Sequence, residues 1–332
     1  MAHTGLCDCA WRNRPVAISN RSAAKYPGSK KLKFLAVEYQ SIRQNYFYQM
    51  KNFYRDTEIE QLAELISNYP RLFLITGAGV SCASGIPDYR NQRGEWKRRP
   101  PIMHQEFIQS EATRKRYWAR SLVGWRWFGT AEPNCNHQAL RQLEEMGLVQ
   151  RLVTQNVDGL HQRAGSKRVI DLHGCIDRIR CLTCREEPLR VDFQHLLEQR
   201  NPEFVTLTAE RAPDGDADLD DIDFSGFDVP TCSNCGGNYM PKVVFYGGSV
   251  PKQRIAECYA DLAQSKAVLV IGSSLMVYSA YQFCRHALNN QIPVLGVNRG
   301  KTRHDGHYWL KLESGCEEVL DALVTQLSQR MN

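Results

Sequence analysis

The stretch 72–90, LFLITGAGVSCASGIPDYR, constrains the fold more than any other part of the 332-residue chain. Leu72, Phe73, Leu74, Ile75 and Thr76 are apolar or β-branched and read as a buried strand, which ends directly in Gly77-Ala78-Gly79. Two glycines one residue apart let the backbone turn sharply and approach a pyrophosphate, and a helix starting there would offer unpaired N–H groups and positive dipole charge. The glycines alone leave two alternatives, a chance turn or a non-standard dinucleotide site. Cys82 stands where the usual fingerprint has a third small residue, and Asp88 comes too early to be the acidic residue expected roughly 20 positions on.

The stretch continues through Ser81, Ser84, Gly85, Ile86, Pro87, Asp88, Tyr89 and Arg90. GAGVSCASGIPDYR resembles the sirtuin NAD-binding signature GAGxSxxSGIPDFR, with Tyr89 in place of the usual Phe. The resemblance implies an α/β fold, a Rossmann-like parallel sheet domain with a smaller zinc-ribbon/helical domain inserted. It also implies NAD as co-substrate, bound by Gly77, Ala78, Gly79, Ser81, Ile86, Pro87, Asp88, Tyr89 and Arg90.

The net charge of +6 is unevenly spread. Residues 1–55 hold ten Lys or Arg against Asp8 and Glu38, so that stretch carries +8 and the remainder −2. A nearly neutral body has little electrostatic footprint for nucleic acid. No apolar run approaches the roughly 18 residues that span a bilayer, so no membrane partner is expected. The tail, with Arg12, Arg14, Arg21, Lys25, Lys30, Lys31 and Lys33 among Ser and Ala, resembles a mitochondrial transit peptide, and a disordered basic tail is the alternative. Twelve cysteines without a secretory signal point to thiols and metal rather than disulfides.

Along the chain, Thr57 to Glu60 forms a plausible capping box for a helix bearing Ile59, Leu62, Ala63, Leu65 and Ile66, which Pro70 stops. Residues 91–101 are polar, basic and punctuated by Gly and Pro, a mobile loop in which Arg98 and Arg99 could meet an acidic group. Helical periodicity from Glu106 to Phe128 carries aromatics read as core, and His137 in PNCNHQAL reads as a packed histidine. A second core strand, 148–154, runs into Gln155-Asn156-Val157-Asp158-Gly159-Leu160-His161. Strand C-termini line the ligand crevice of a parallel sheet, so this polar cluster falls beside the first loop. There Asn156 can orient a ribose or a water, and Asp158 can hold a ribose or a carboxamide. The cluster matches the sirtuin TQNxDGLH motif, which implies ribose and nicotinamide binding by Gln155, Asn156, Val157 and Asp158. His173, before Gly174, has an unperturbed pKa near neutrality, and the family's HG motif implies that it is the general base.

Cys181-x-x-Cys184 and Cys232-x-x-Cys235 are two knuckles able to grip one tetrahedral zinc. Four thiolates leave no open position, so the zinc is expected to be structural. Disulfides or a thioredoxin-like CxxC are the alternatives. Between the knuckles lie Asp214, Asp216, Asp218, Asp220, Asp221 and Asp223. A calcium loop fails there because Leu219 and Ser225 replace the required Gly and Glu, so the insert reads as a solvated loop. The run 241–248, PKVVFYGG, resembles the sirtuin segment that pairs with an extended substrate peptide, implying contacts from Val244, Phe245, Tyr246 and Gly247, although Gly248 replaces the family's acid. Strands 267–271 and 294–297 enter Gly272-Ser273-Ser274 and Asn298-Arg299-Gly300, and by resemblance these turns and the backbone at Cys316 hold the phosphates, ribose and adenine of NAD.

The resemblance runs from about Asp56 to Leu327. It implies a catalytic domain over 56–330, with Rossmann-like parts at about 56–90, 130–175 and 240–330, a helical module at 91–130 and a zinc module at 176–240. RYWAR at 116–120, the APDGD insert and LMVYS at 275–279 resemble the mitochondrial class II, sirtuin-four type. The implied activity is an NAD-dependent protein lysine deacylase of the mitochondrial matrix, acting on acylated-lysine proteins such as metabolic enzymes. In that family the acyl oxygen attacks the ribose as nicotinamide leaves, His173 deprotonates a ribose hydroxyl, and water completes release of lysine and O-acyl-ADP-ribose. Arg98 and Arg99 lead to an expectation of long or carboxylate-ended acyl groups. The rival readings are ADP-ribosyl transfer to protein, a weakly catalytic NAD-binding regulator, and a DNA-binding zinc protein disfavoured by the charge.

Overall fold

Every residue of strand β1 (Leu72–Thr76) is buried. Leu72 and Leu74 face one helical layer while Phe73 and Ile75 face the other. A strand covered on both sides reads as a continuous apolar run because neither face can be polar. The computed structural model describes residues 55–98, 101–219 and 222–331, the Asp214 side chain excepted. The expected transit segment, Arg55 aside, together with Arg99, Asp220 and Asp221, lies outside the described residues.

In chain order the elements are α1 (55–68), β1, α2 (His104–Gln109), α3 (Glu111–Phe128), α4 (Cys135–Glu145), β2 (Val149–Thr154), α5 (Leu160–Arg163), β3 (Val169–Asp171) and β4 (Gly174–Cys181). Next come α6 (Arg190–Arg200), α7 (Pro202–Val205), β5 (Glu210–Arg211), β6 (Ala217–Asp218), β7 (Tyr239–Val243), α8 (Lys252–Gln264), β8 (Ala267–Ile271), α9 (Tyr278–Asn289), β9 (Val294–Val297), β10 (Leu310–Leu312) and α10 (Cys316–Met331). Six strands form one parallel sheet in the order β10-β9-β8-β1-β2-β3. Helices α1, α4 and α10 pack on one face, through residues such as Ile59, Leu140 and Leu320. Helices α8 and α9 cover the other, through Leu262 and Phe283. This is the three-layer Rossmann-like architecture expected from the sequence.

From β1 the chain builds outward through β2 and β3, and from β8 it builds the opposite way through β9 and β10. Strands β1 and β8 are therefore neighbours at the point where the strand order reverses. In such sheets the crevice beyond the carboxyl ends of these two strands is where ligands bind.

A second core joins α2, α3 and α6 to the antiparallel pair β4 and β7, through Phe107, Trp118, Leu122, Phe193, Ile179 and Tyr239. The aromatics at 107 and 118 are core, as read from the sequence. The periodic stretch is two helices rather than one, because Ser110 caps α3 by accepting from the Thr113 N–H at 3.1 Å.

Three expectations need correction. Residue 55 is already helical, so Thr57 stands inside α1 and not at its cap. The segment 91–98 is tied down: Lys97 N donates to Tyr89 O at 2.9 Å, Lys301 N to Gln92 O at 2.8 Å, and the Arg90 guanidinium stacks on Trp96 at 3.8 Å. The insert between the cysteine knuckles is not simply solvated, since Ala212, Ala217, Leu219 and Phe227 are buried and three of these join the second core. In the sequence its apolar residues are interspersed with acids, and the acids mask the pattern.

Candidate active site

The turns after β1 and β8 are joined. Gly77 N donates to Ile271 O at 3.2 Å, and Gly79 N donates to Gly272 O at 2.9 Å. A Cβ on Gly77 would lie 2.8 Å from the Gly272 oxygen, and one on Gly79 would lie 2.8 Å from the Gly272 Cα. Close approach of backbone to backbone, not a left-handed conformation, demands both glycines. The segment Ala78–Ser84 is a seven-residue 3-10 helix that ends at Gly85. The glycines therefore lead into a short 3-10 helix and not into the α-helical N-terminus expected from the sequence: Gly85 and Pro87 stop the helix early, and the Gly79 amide ties the two turns together.

Beyond these turns opens a cavity of about 910 Å³, at the upper end of the roughly 300–1,000 Å³ typical of small-molecule sites. From the first signature it is lined by Gly77, Ala78, Gly79, Asp88, Tyr89 and Arg90. Gln155, Asn156, Val157 and His173 contribute from the ends of β2 and β3. Gly272, Ser273, Ser274, Asn298, Arg299 and Cys316 contribute from the β8 and β9 turns and the start of α10. Val244, Phe245, Tyr246 and Gly247 form another wall. Segments more than 200 residues apart in sequence thus share one crevice, as the motif spacing implied.

Five of the expected binding residues stand back from it. Ile86 is buried against Phe128, Val157 and Ile176, where it supports the wall, and Pro87 borders the cleft behind the loop. Gly300 packs against Gln92, with φ +94°. Ser81 and Asp158 lie one layer behind Asn156. The Ser81 hydroxyl donates to Asp158 Oδ2 at 2.7 Å and accepts from Asn156 Nδ2 at 3.0 Å. His137 completes this cluster at 3.4 Å from Ser81 Oγ, while its Nδ1 accepts from Asn134 N at 3.2 Å. It is the packed, hydrogen-bonded histidine expected. Burial lowers its pKa, opposed by Asp158, and burial pushes the adjacent His161 down to about 3. Both rings are neutral, so Asn156 is aimed by a network carrying one negative charge, on Asp158.

His173 is held from four directions. Its carbonyl accepts from Val244 N at 2.7 Å, and Nδ1 lies 2.9 Å from Gln155 O. A carbonyl can only accept, so Nδ1 carries the proton and Nε2 is left with the lone pair. Nε2 lies 2.7 Å from Ser279 Oγ. The fourth restraint is Gly174, whose Cβ would lie 2.2 Å from Lys242 O and whose φ of +87° suits glycine. Burial pushes the His173 pKa down to about 4, with the Gln155 carbonyl opposing and Arg254 adding to the fall. The ring is a neutral base at physiological pH.

Arg98 does not line the cavity. It is ion-paired with Asp218 and, at 3.0 Å, with Glu210, both from the insert. The acidic group that the sequence anticipated for it comes from this chain. Sequence reading passed over other wall residues: Tyr117, taken as core, and Asp216, taken as part of a solvated loop, both line the cavity. Asp216 pairs with Arg120 at 2.9 Å, and burial raises its pKa despite that cation. The apolar Ala212 and Ala217 near it in the sequence were the available signal.

The four knuckle cysteines form one cluster, with all Sγ atoms within 4.8 Å of one another. Cys181 Sγ lies 3.5 Å from Cys235 Sγ, and Cys184 Sγ lies 3.6 Å from Cys232 Sγ. Four thiolates bound at about 2.3 Å in a tetrahedron sit about 3.8 Å apart, so the donor set fits zinc. All four are free thiols, which removes the disulfide alternative for these cysteines. None of them lines the cavity, so a zinc there would brace the β4–β7 module and take no part in the chemistry.

Comparison with known proteins agrees with this geometry. The model of the Sir2 family matches residues 77–279, more than half of the chain. An NAD-dependent protein deacetylase of Bordetella bronchiseptica is 50% identical over 271 residues, covering 82% of this chain and 99% of that protein. One from Xanthomonas axonopodis pv. citri is 52% identical over 259 residues, 78% of this chain and 88% of that protein. The human NAD-dependent protein lipoamidase sirtuin-4, mitochondrial, is 42% identical over 266 residues, 79% of this chain and 85% of that protein. Among solved structures, Sir2-p53 peptide-NAD+ shares the fold with a TM-score of 0.67 and 27% identity, over 82% of this chain and 99% of that one. By sequence, fold and site, this chain belongs to the Sir2 family, the sirtuins.

Proposed function

We propose that this chain is an NAD-dependent protein lysine deacylase, transferring an acyl group from lysine to ADP-ribose with release of nicotinamide. The observation that carries the reading is His173: a neutral imidazole with its lone-pair nitrogen free of any carboxylate, on the wall of a cavity that also spans the joined β1 and β8 turns. Relatives named as NAD-dependent protein deacetylases and a lipoamidase support it.

NAD, when bound, supplies the ribose carbon to which the acyl oxygen attaches. In this reading the glycines of the two turns admit the pyrophosphate, and Asn156, aimed by Ser81 and Asp158, orients the nicotinamide ribose. His173 takes a ribose hydroxyl proton at Nε2, while Nδ1–H to Gln155 O keeps the ring in the required tautomer. The wall at 244–247 receives the lysine. Zinc on the four cysteines holds the small module in place.

The sirtuin-four type belongs to the proposal, supported by the human relative and by the RYWAR, APDGD and LMVYS segments. So does a preference for acyl groups longer than acetyl, supported by a large cavity whose lining includes Ile102, Tyr117 and Pro213 as well as His173. The pairing of Arg98 and Arg120 with acids of the insert favours neutral acyls over carboxylate-ended ones. A mitochondrial matrix address rests on the basic composition of residues 1–55. Import of a fluorescent fusion carrying those residues is the expected outcome, and a diffuse cytoplasmic signal would contradict it.

Mass spectrometry of the full chain incubated with NAD and acetyl, lipoyl, medium-chain and dicarboxylic acyl-lysine peptides tests the activity. Nicotinamide and O-acyl-ADP-ribose should appear, fastest with a long neutral acyl. ADP-ribose attached to protein without acyl loss would instead make this a transferase to side chains. NAD binding without any product would make it a regulator.

A further inference from the structure

The family signature accounts for His173 but not for the group that touches its reactive nitrogen. Ser279, the second residue of α9, places Oγ 2.7 Å from Nε2. It lines the same cavity, and its carbonyl accepts from Gln282 Nε2 at 2.8 Å, which fixes the backbone that carries it. The opposite edge of the ring meets a backbone carbonyl, that of Gln155, instead of the carboxylate that commonly supports a catalytic histidine. The charged group acting on the ring is Arg254, which donates to Leu172 O at 3.0 Å and disfavours a second positive charge. Once Nε2 has taken a proton, the imidazolium has two neutral oxygens for partners, Gln155 O and Ser279 Oγ.

We propose that Ser279 is a positioning residue for the base: its hydroxyl fixes the ring by donating to Nε2 at rest, rotates to release the lone pair as the ribose hydroxyl arrives, and accepts from Nε2–H once the ring is protonated. A hydroxyl can do both because it has one rotatable donor and two acceptor lone pairs. Protons balance without help from elsewhere. The ribose O–H bond breaks, its proton goes to the Nε2 lone pair, and Ser279 keeps its own proton throughout. The bond to the charged ring is the stronger of the two, so the residue lowers the barrier of the proton-transfer step more than it stabilises the resting enzyme. This inference rests on the reading of His173 as base.

Two measurements on the full chain test it, comparing Ser279→Ala and Ser279→Thr with the wild type. In the first, nitrogen-15 NMR of labelled histidine at neutral pH tracks the Nε2 resonance of His173, assigned by its loss in His173→Ala. It should move in Ser279→Ala and return in Ser279→Thr, and an unmoved resonance would refute the contact whether or not the protein turns over. In the second, kcat for O-acyl-ADP-ribose formation should fall roughly ten- to a hundredfold in Ser279→Ala. KM for NAD and the exchange of labelled nicotinamide into NAD, which precede the base step, should hold, and Ser279→Thr should restore kcat. An unchanged kcat, a parallel loss of exchange, or no rescue by Thr would overturn the proposal. An inactive wild type would instead count against the deacylase reading.

Discussion

At Gly77 an added methyl must push against the Gly272 oxygen and the Ser273 Cβ, each 2.8 Å away. Gly77→Ala should therefore part the two turns and weaken NAD binding more than tenfold, measured by calorimetry, with a much smaller loss of melting temperature. A second consequence at this scale concerns acid. An ordinary histidine base is half protonated near pH 6.5, but the buried His173 holds its lone pair down to about 4. The kcat/KM profile should stay flat from about pH 8 to about pH 6, and a fall centred near pH 6.5 would mean that the ring is not in the buried state described. Such residues were legible through their resemblance to the sirtuin motifs, whose demands few side chains meet: no Cβ at 77, an amide at 156, a titratable ring at 173. Ser279 was not legible. A serine at a helix start is commonplace, and only the fold brings it to His173, 106 positions away.

Among the elements, the long apolar strands announced themselves through composition, and β8 and β9 have the bounds read from the sequence. The insert did not. Its fold depends on contacts with α3, such as Arg120 to Asp216, that no local pattern encodes. The β4–β7 module rests on a short antiparallel pair and on the cysteine cluster at its end. Two strands are marginal without further support, so the metal should matter to this element more than to the sheet. Cys181→Ser, or removal of zinc by a strong chelator, should release about one zinc per chain and raise protease cutting within 176–240. The parallel sheet should keep its hydrogen-exchange protection. Full protection of the module in the zinc-free protein would show that its apolar core suffices.

For the molecule as a whole, the buried neutral histidines tie stability to pH. His161 is held at about 3, and His173 and His304 at about 4, all by burial. Between those values and the unfolded value near 6.5, the unfolded chain binds more protons than the folded one, so stability must rise with pH across that window. The melting temperature should fall steadily from pH 6.5 toward pH 4, and a flat profile would mean that these rings take up protons without unfolding. The central claim is that one crevice at the reversal of strand order binds NAD and that His173 acts there as base. Its most direct test is the His173→Ala chain, measured for NAD affinity and for O-acyl-ADP-ribose formation side by side. The account predicts NAD affinity within about threefold of wild type and a loss of product of at least about a hundredfold, the scale of general-base catalysis. Undiminished product from that variant would contradict it.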